Sequence, residues 1–496
     1  MALRIETFSN IKGGNSFYKA LSHPLTAERA AHFIGTVAAS GPVAVYDPQD
    51  CLEGLVEFYD LSRWDVRHVF IQKIESLGQT RLGRPVQPVT ELPEARVCTV
   101  FIASYDAGRL LAQVRHLLPE GVSVVSLDDI RLPEGMLTNT RQFLHPLNFA
   151  TNFAFFRDAD GQHTAVVSCN YWNGYGASNV QLWLCLFDEA GKVLAQWEQP
   201  LPAGAGAIRI DSREVRERFA LPAFTGSLFM HAQRIAGHDT VKYALDTYGD
   251  DPGELSCTHD ANAWPADYYA GLPGPRPDER VTLWIQNSNP IPIPRGAVGL
   301  NVMGSPEVKR VDDEIPPFAT YGVDTAALFP DVAWPAQFEV QAGRYFVRPR
   351  YEVLRNGGPR RIAHANVERS DLTPDPELPR LEEWLGKGYI LPAPVLPADT
   401  WRSLVLPTPM ARDQARLPLA VAVYDAQGAQ VARRTLGPLA RHESVAVDVE
   451  ELLAGTVLPD GYGHMELLYD FSHGGEADGW LHGLFHYQHR TSGHGA

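Results

Sequence analysis

Hydrophobic and polar positions change their period once along this chain, near residue 145. Between residues 42 and 126 short apolar runs alternate with stretches of helical spacing. Pro42-Val-Ala-Val-Tyr46, Val66 to Gln72, Cys98 to Ala103 and Gly121 to Ser126 read as strands. Cys51 to Tyr59, with Leu52, Leu55, Val56 and Tyr59 in phase, and Ala107 to Leu118 read as helices. Alternation of this kind predicts a parallel sheet with helices on both faces. Beyond residue 145 the period falls to two, with turn residues every ten positions or so, the pattern of sandwiches of two antiparallel sheets.

The β-rich part repeats itself. Asp188-Glu-Ala-Gly191, Asn301-Val-Met-Gly304 and Asp425-Ala-Gln-Gly428 each follow an apolar strand. Twenty residues beyond each glycine stands an aspartate: Asp211, Asp324 and Asp448. Each aspartate ends an alternating stretch and opens a short helical piece. Agreement at both positions in three places marks an internal repeat. Two strands are expected after each helical piece: Gly226 to Ala232 with Val241 to Tyr248, Arg344 to Val353 with Arg361 to Val367, and His464 to Phe471 with Gly479 to Gln488. The aspartates are read as turn and N-cap residues, with Glu214 and Glu451 as reciprocal capping partners.

The N-terminal layout resembles the small Rossmann-like domains that occur in sugar-modifying and CoA-binding enzymes, and Leu82-Gly-Arg-Pro-Val86 adds to that likeness. The resemblance spans about residues 40–130 and concerns fold. A dinucleotide site needs glycines after the first strand, so that amides can reach a pyrophosphate. This chain has Tyr46-Asp-Pro-Gln-Asp-Cys51 there. Proline removes a donor and two carboxylates repel phosphate, so no classical dinucleotide is expected. Asp47 or Asp50 is expected to cap the following helix instead.

The expected fold class is therefore a Rossmann-like α/β domain followed by three all-β immunoglobulin-like sandwich repeats. The boundaries read as 1–145 for the α/β domain, 146–250, 280–372 and 398–496 for the repeats, and 251–279 and 373–397 for linkers rich in proline and aromatics. A short helix is expected around Leu381 to Leu385 in the second linker.

Charge narrows the partners. The formal net charge is −16, which repels phosphate backbones and anionic lipid heads. The densest basic stretch, Arg348, Arg350, Arg355, Arg360 and Arg361, is diluted by acidic neighbours, so neither nucleic acid nor a membrane is an expected partner. The five cysteines are far apart and form no CxxC pair, so neither a thiolate zinc site nor a disulfide framework is indicated. With no apolar leader at the start and no spanning run, the expected location is cytoplasmic.

Candidate chemistry is sparse. Seven of the 17 histidines fall after residue 440, and a divalent transition metal (zinc, iron or copper) could be held by His482 and His486 on one strand face. His464, Glu466 or Asp470 from a neighbouring strand would complete that set. His364, Asn366 and Glu368 form a polar stripe in the second repeat, matched to His486 and Gln488 in the third and to Lys242 and Asp246 in the first. That stripe is read as a seam between repeats, with the lining of a binding groove as the alternative. Two aromatic-rich stretches suit a sugar ring: Tyr171, Trp172, Asn173 and Tyr175 in one, and His259, Asp260 and Trp264 in the other. Cys257 with His259 could form a nucleophile and base, but no third orienting group is evident. Walker A, HExxH, GxSxG and EF-hand patterns are absent.

The sequence thus points to a non-catalytic multidomain binding or scaffolding protein, its ligand carbohydrate-like or another protein. A metal-dependent enzyme using His464, His482 and His486 is the first alternative. A degenerate sugar-nucleotide-modifying enzyme built on the N-terminal domain is the second.

Overall fold

The computed structural model of the chain describes residues 2–5, 14–251, 253–261, 264–380, 390–410, 412–414, 416–493 and 495. The helix expected around Leu381 to Leu385 lies outside them. The molecule is mostly β-sheet, with one parallel sheet at the N-terminus and antiparallel sheets thereafter.

Five parallel strands form the N-terminal sheet: Pro42–Asp47, Asp65–Ile71, Arg84–Pro88, Thr99–Ile102 and Ser123–Ser126. Their spatial order is third, second, first, fourth, fifth, so the order reverses between the first and the fourth. Helices Leu52–Phe58 and Ala107–Val114 leave the ends of those two strands. Two helices that the hydrophobic period did not assign, Gly14–Ser22 and Pro24–Ala39, precede the sheet. The second has proline at its first position and a cap from His23, whose Nδ1 accepts the Leu25 amide at 3.2 Å.

Each of the three β units contains seven strands in one order. In the first unit these are Ala150–Ala159, Gln162–Cys169, Gln181–Phe187, Val193–Pro200, Ala207–Asp211, Phe224–Gln233 and Tyr243–Gly249. In the second they are Tyr268–Pro273, Glu279–Gln286, Gly299–Val302, Lys309–Arg310, Thr320–Asp324, Gln337–Gln341 and Arg350–Arg355. In the third they are Ile390–Val395, Trp401–Thr408, Arg416–Asp425, Gln430–Ala440, Val447–Asp448, Gly463–Tyr469 and His482–His489.

In every unit strands one, six, three and four lie side by side, and strands five, two and seven make the facing layer. In the first unit a hairpin between strands one and two (Asp158 opposite His163) joins the two layers into one continuous sheet. The buried cores of the first and third units draw on both layers. An immunoglobulin constant-type sandwich pairs strand one with two and six with seven. Here the terminal strands have changed layers, so the internal repeat is present but the immunoglobulin label fits only loosely.

Several expectations are corrected by this arrangement. The segments read as linkers, 251–279 and 373–397, contain the first strands of the second and third units. In the second unit strand six is Gln337–Gln341, which the sequence reading passed over, so its later strands were assigned one place too far along. Arg360–His364 is an additional strand, paired to the seventh, and Leu255–Asp260 extends the first unit in the same way. His482–His489 pairs with Trp401–Thr408, not with the strand bearing His464, because strands six and seven belong to opposite layers.

The repeated residues perform their expected local roles. Asp188 accepts the amides of Ala190 and Lys192, and Asp425 those of Gln427 and Ala429. Asp211, Asp324 and Asp448 each cap a helix through the amide two residues on. Among the described residues no reciprocal bond from Glu214 or Glu451 closes these caps.

The N-terminal layer packs onto the first two units. Leu21 and Phe58 share one core with Leu283, Val340 and Phe346 of the second unit. The Lys19 ammonium is buried and donates to the carbonyls of Phe149 and Asp239 at 2.9 and 3.0 Å. Burial brings its pKa down to about 8.

Candidate ligand cavity at the junction of the units

The crevice beyond the carboxyl ends of the first and fourth parallel strands is where a doubly wound sheet would bind a ligand. Its amides are already engaged. Asp47, whose side chain is fully buried, accepts the Cys51 amide at 2.8 Å and pairs with Arg81 at 2.6 Å. Burial pushes the Asp47 carboxyl up to about 6 despite that arginine. At the second helix Asp128 accepts the amides of Asp106 and Ala107, each at 2.8 Å. Between them Ser104 donates to the Gln49 side chain at 2.8 Å. Both helix N-termini that could hold a phosphate hold a carboxylate of the chain itself.

The aromatic loop at residues 171–175 is likewise turned inward. Trp172 is buried and donates from Nε1 to the His238 carbonyl at 2.9 Å, and the Tyr171 hydroxyl donates to the Thr240 carbonyl at 2.5 Å. Tyr175, though exposed, meets His238 Nε2 at 2.9 Å, and Asn173 reaches the Ala177 carbonyl at 3.4 Å. Tyr171, Trp172 and Tyr175 hold the loop to the segment at 238–242 and Asn173 ties it to itself, which does not favour the ligand role read from their composition.

The proposed metal set is not brought together. His464 stacks on Tyr424 in the layer opposite His482 and His486, with Glu466 at 3.4 Å. Among the described residues no group of three or more His, Cys, Asp or Glu side chains is placed to hold a metal ion.

What does converge is a junction between all three units. The added strand of the first unit, Leu255–Asp260, lies beside the added strand of the second, Arg360–His364. The Ser256 hydroxyl accepts the Ile362 amide at 3.0 Å, and the Thr258 hydroxyl meets His364 Nδ1 at 2.6 Å. His364 Nε2 meets Asn366 Oδ1 at 3.2 Å, and the rings of His259 and His364 stand edge to face at 4.9 Å. Strands two and seven of the third unit close the space with Thr408, Leu484, Phe485 and His486. The cavity so formed has a volume of about 350 Å³.

The cavity's charge state follows from its walls. Burial, reinforced by Arg348 and Arg350, holds His364 well below the usual imidazole range, and burial likewise lowers His259. Burial, with Arg361 and Arg276 nearby, does the same to His486. The Cys257 thiol is pushed up to about 11 by burial and by Asp246. Arg361, the cationic side chain on the wall, pairs with Glu279 at 3.3 Å. Asp260 is buried behind the cavity against Arg350 at 3.2 Å and Arg348 at 3.5 Å, as a brace and not a lining group. Trp264 is half-buried and does not line the cavity. Of the residues singled out for ligand binding, His259 is placed there. Of the proposed metal ligands, His486 is.

Register explains why His486 sits at the junction. Ala165, Thr282 and Leu404 hold one position on strand two of the three units, each facing the capping aspartate on strand five. Across from them on strand seven stand Asp246, Glu352 and His486. The polar stripe of the second unit is therefore centred on Glu352, and His364 belongs to the added strand. Sequence reading missed Thr258, Tyr351, Arg361 and Thr408, because strands from three units supply them and no linear spacing relates them.

No family model matches the chain, and no curated protein matches it. Among solved structures it is similar to a biofilm associated protein BSP domain, at 9% identity over 60% of this chain and 76% of that one, with a TM-score of 0.15. It is also similar to trypsin-activated alpha-2-macroglobulin from Escherichia coli, at 11% identity over 67% of this chain and 24% of that one, with a TM-score of 0.10. Superpositions this loose carry no argument, so the site is read from its own residues.

Proposed function

We propose that this is a non-catalytic, multi-unit binding or scaffolding protein, and that the junction cavity takes a small, uncharged, hydroxyl-rich molecule of carbohydrate type. The observation that carries the reading is the cavity, whose one charged lining side chain among the described residues, Arg361, is paired with Glu279. A space of about 350 Å³ is at the small end of ligand pockets and suits one sugar ring. Tyr351, Leu484 and Phe485 supply apolar surface, while Thr258, His259, Asn366 and Thr408 supply hydrogen-bonding groups for hydroxyls. A protonated thiol and imidazoles depressed by burial provide neither a ready nucleophile nor a base poised near neutral pH, which favours binding over catalysis.

In the same reading the N-terminal sheet is Rossmann-like, its third-second-first-fourth-fifth order being that of the doubly wound family. It acts as an assembly module, since its own carboxylates occupy the amides a nucleotide would use.

The test is calorimetry of the full chain against a panel of neutral mono- and disaccharides, beside His259→Ala and Asn366→Ala. Binding in the wild type that weakens at least tenfold in both variants is expected. Absence of binding across the panel, or turnover of any sugar tested, would overturn the proposal.

A further inference from the structure

The three units are joined by one docking geometry used twice, and the third unit carries an unused copy of it. In the first unit the turn between strands three and four, Asp188–Gly191, seats on the loop between strands four and five of the second unit. A Cβ added to Gly191 would lie 1.9 Å from the Pro317 carbonyl oxygen, the Thr320 amide donates to the Glu189 carbonyl at 3.1 Å, and Phe187 stacks on Phe318 at 4.7 Å. In the second unit the turn Asn301–Gly304 seats on the same loop of the third. A Cβ on Gly304 would lie 2.8 Å from the His442 amide, and Met303 packs against Met410. The segment between strands one and two and the loop before strand six complete this second contact, through Arg276 and Trp334 against His486.

All three elements recur at the free end of the third unit. The turn Asp425–Gly428 is formed in the same way, yet among the described residues nothing lies within 4 Å of a Cβ added to Gly428. Gln427 in this turn donates to Asp460 at 2.6 Å, in the loop before strand six. That loop and the segment between strands one and two enclose an apolar groove of about 480 Å³ that includes Leu396, Pro397, Trp401 and Leu453. Beside it Val457 is 83% exposed. End units of stacked-repeat proteins carry polar outer faces, because an apolar one recruits a neighbour. The complementary surface is present at the other end of the array. In the first unit the loop between strands four and five, residues 201–206, exposes Pro202 and Ala203, and Asp246 stands half-exposed at the position of Glu352 and His486.

We propose that the free end of the third unit docks onto the residue 201–206 loop of a second copy of this chain, so that chains associate head to tail. Such a contact is heterologous: each chain keeps one free face of each kind, and growth is open unless the rotation closes a ring.

Sedimentation velocity of the full chain, across a hundredfold range of micromolar concentration, tests this beside Val457→Glu and Ala203→Glu. Both sites are exposed, so melting curves of the variants should match the wild type. The wild type is expected to pass beyond dimer as concentration rises, and each variant alone to remain monomeric. An equimolar mixture of the two variants is expected to give dimer and nothing larger, since one intact face of each kind remains. A wild type monomeric throughout, a dimer that survives either substitution, or a mixture that stays monomeric would overturn the proposal.

Discussion

The two seams between β units use one architecture, and both hold ion pairs on buried carboxylates, yet they place different groups at one register position. At the first, Arg157 leaves strand one and meets Glu352 on strand seven through two hydrogen bonds of 3.2 and 3.0 Å, both side chains buried. Trp284 Nε1 and Arg360 supply further donors to the same carboxylate. Burial alone would raise the Glu352 carboxyl, but Arg157 and these donors outweigh it and hold it below its usual value. At the second seam the register-equivalent residue is His486, which meets Arg276 at 3.2 Å through Nδ1 while Nε2 is buried without a partner among the described residues. At this register position an ion pair closes the first seam, whereas the ion pairs of the second, Arg412 and Arg441 with Glu339 at 3.2 and 2.6 Å, lie away from it. A neutral ring stands at the second, and the cavity opens beside it. One substitution within a repeated frame is thus enough to turn a structural contact into a candidate binding wall.

Breaking the closed seam should have the largest effect. Arg157→Ala leaves Glu352 buried with, among the described residues, only Arg360 as a counter-charge, at 3.3 Å, and truncating one partner of a buried pair costs about 3–5 kcal/mol. Urea unfolding should show this as a lower midpoint, with the sugar affinity of the remaining folded protein unchanged. If Arg157→Ala melts like the wild type, the first seam is not an energetic join and the contrast collapses.

The contrast can also be sharpened by making the open seam resemble the closed one. His486→Glu offers Arg276 a carboxylate at the register position of Glu352. The bond to His486 already has a charged donor, so the gain is that of an ion pair over a one-sided charge-assisted bond, about 1 kcal/mol, and the thermal midpoint should rise. Ligand binding should fall at the same time, because an added carboxylate enters a wall whose charged group, Arg361, is already paired with Glu279. A variant that is stabilised yet binds sugar as before would remove His486 from the site.

Much of this frame was legible in the sequence and the decisive part was not. The Asx-x-x-Gly turns and the aspartates twenty residues on located all three units, because local hydrogen bonding dictates their residue types. The first parallel strand and its helix were legible for the same reason, although the cap position is Cys51, whose amide Asp47 accepts. Strand partnership was not: alternation in Gly463–Tyr469 and His482–His489 says that each has a buried face, without saying that the two lie in opposite layers. Hence His464 was grouped with His482 and His486, and Gln337–Gln341 was passed over. The loop at 171–175 misled in another way, since a composition that suits a sugar also suits a loop that packs on itself.

Acid separates the seams less sharply. Burial lowers His23, His364 and His486 well below 6.5 and brings His231 to about 3 and His482 to about 4. In the unfolded chain these imidazoles protonate near 6.5, so unfolding takes up protons below that pH. Stability should be full above about pH 6.5 and fall as pH drops toward 4, by at most about 1.4 kcal/mol per pH unit for each histidine. Asp47 works against this, its raised carboxyl favouring the fold below about 6 and losing that contribution as pH rises through it. Five histidines outweigh it, so the urea midpoint should fall on acidification, and His486→Gln should make that fall shallower. A midpoint that rises toward pH 4 would contradict the neutral state assigned to these rings.

The smallest expected effect comes from the feature common to all three units. Asp324 caps its helix through the Ala326 amide at 3.0 Å, and its ion pair is a loose one with Arg280 at 3.7 Å. Asp211 also pairs with Arg209 at 2.5 Å and accepts the Tyr248 hydroxyl at 2.6 Å, and Asp448 pairs with Arg402 at 2.6 Å. Loss of a cap alone costs about 1 kcal/mol. Asp324→Ala should therefore lower stability by about that amount, with Asp448→Ala and Asp211→Ala costing progressively more as their extra partners are lost. None of the three should alter ligand binding or the sedimentation of the chain, because none of these aspartates lines the cavity. Equal costs in all three would mean that the cap bond is the whole contribution. A binding defect in any of them would mean that the repeated aspartates do more than hold the frame in which His486 and Glu352 differ.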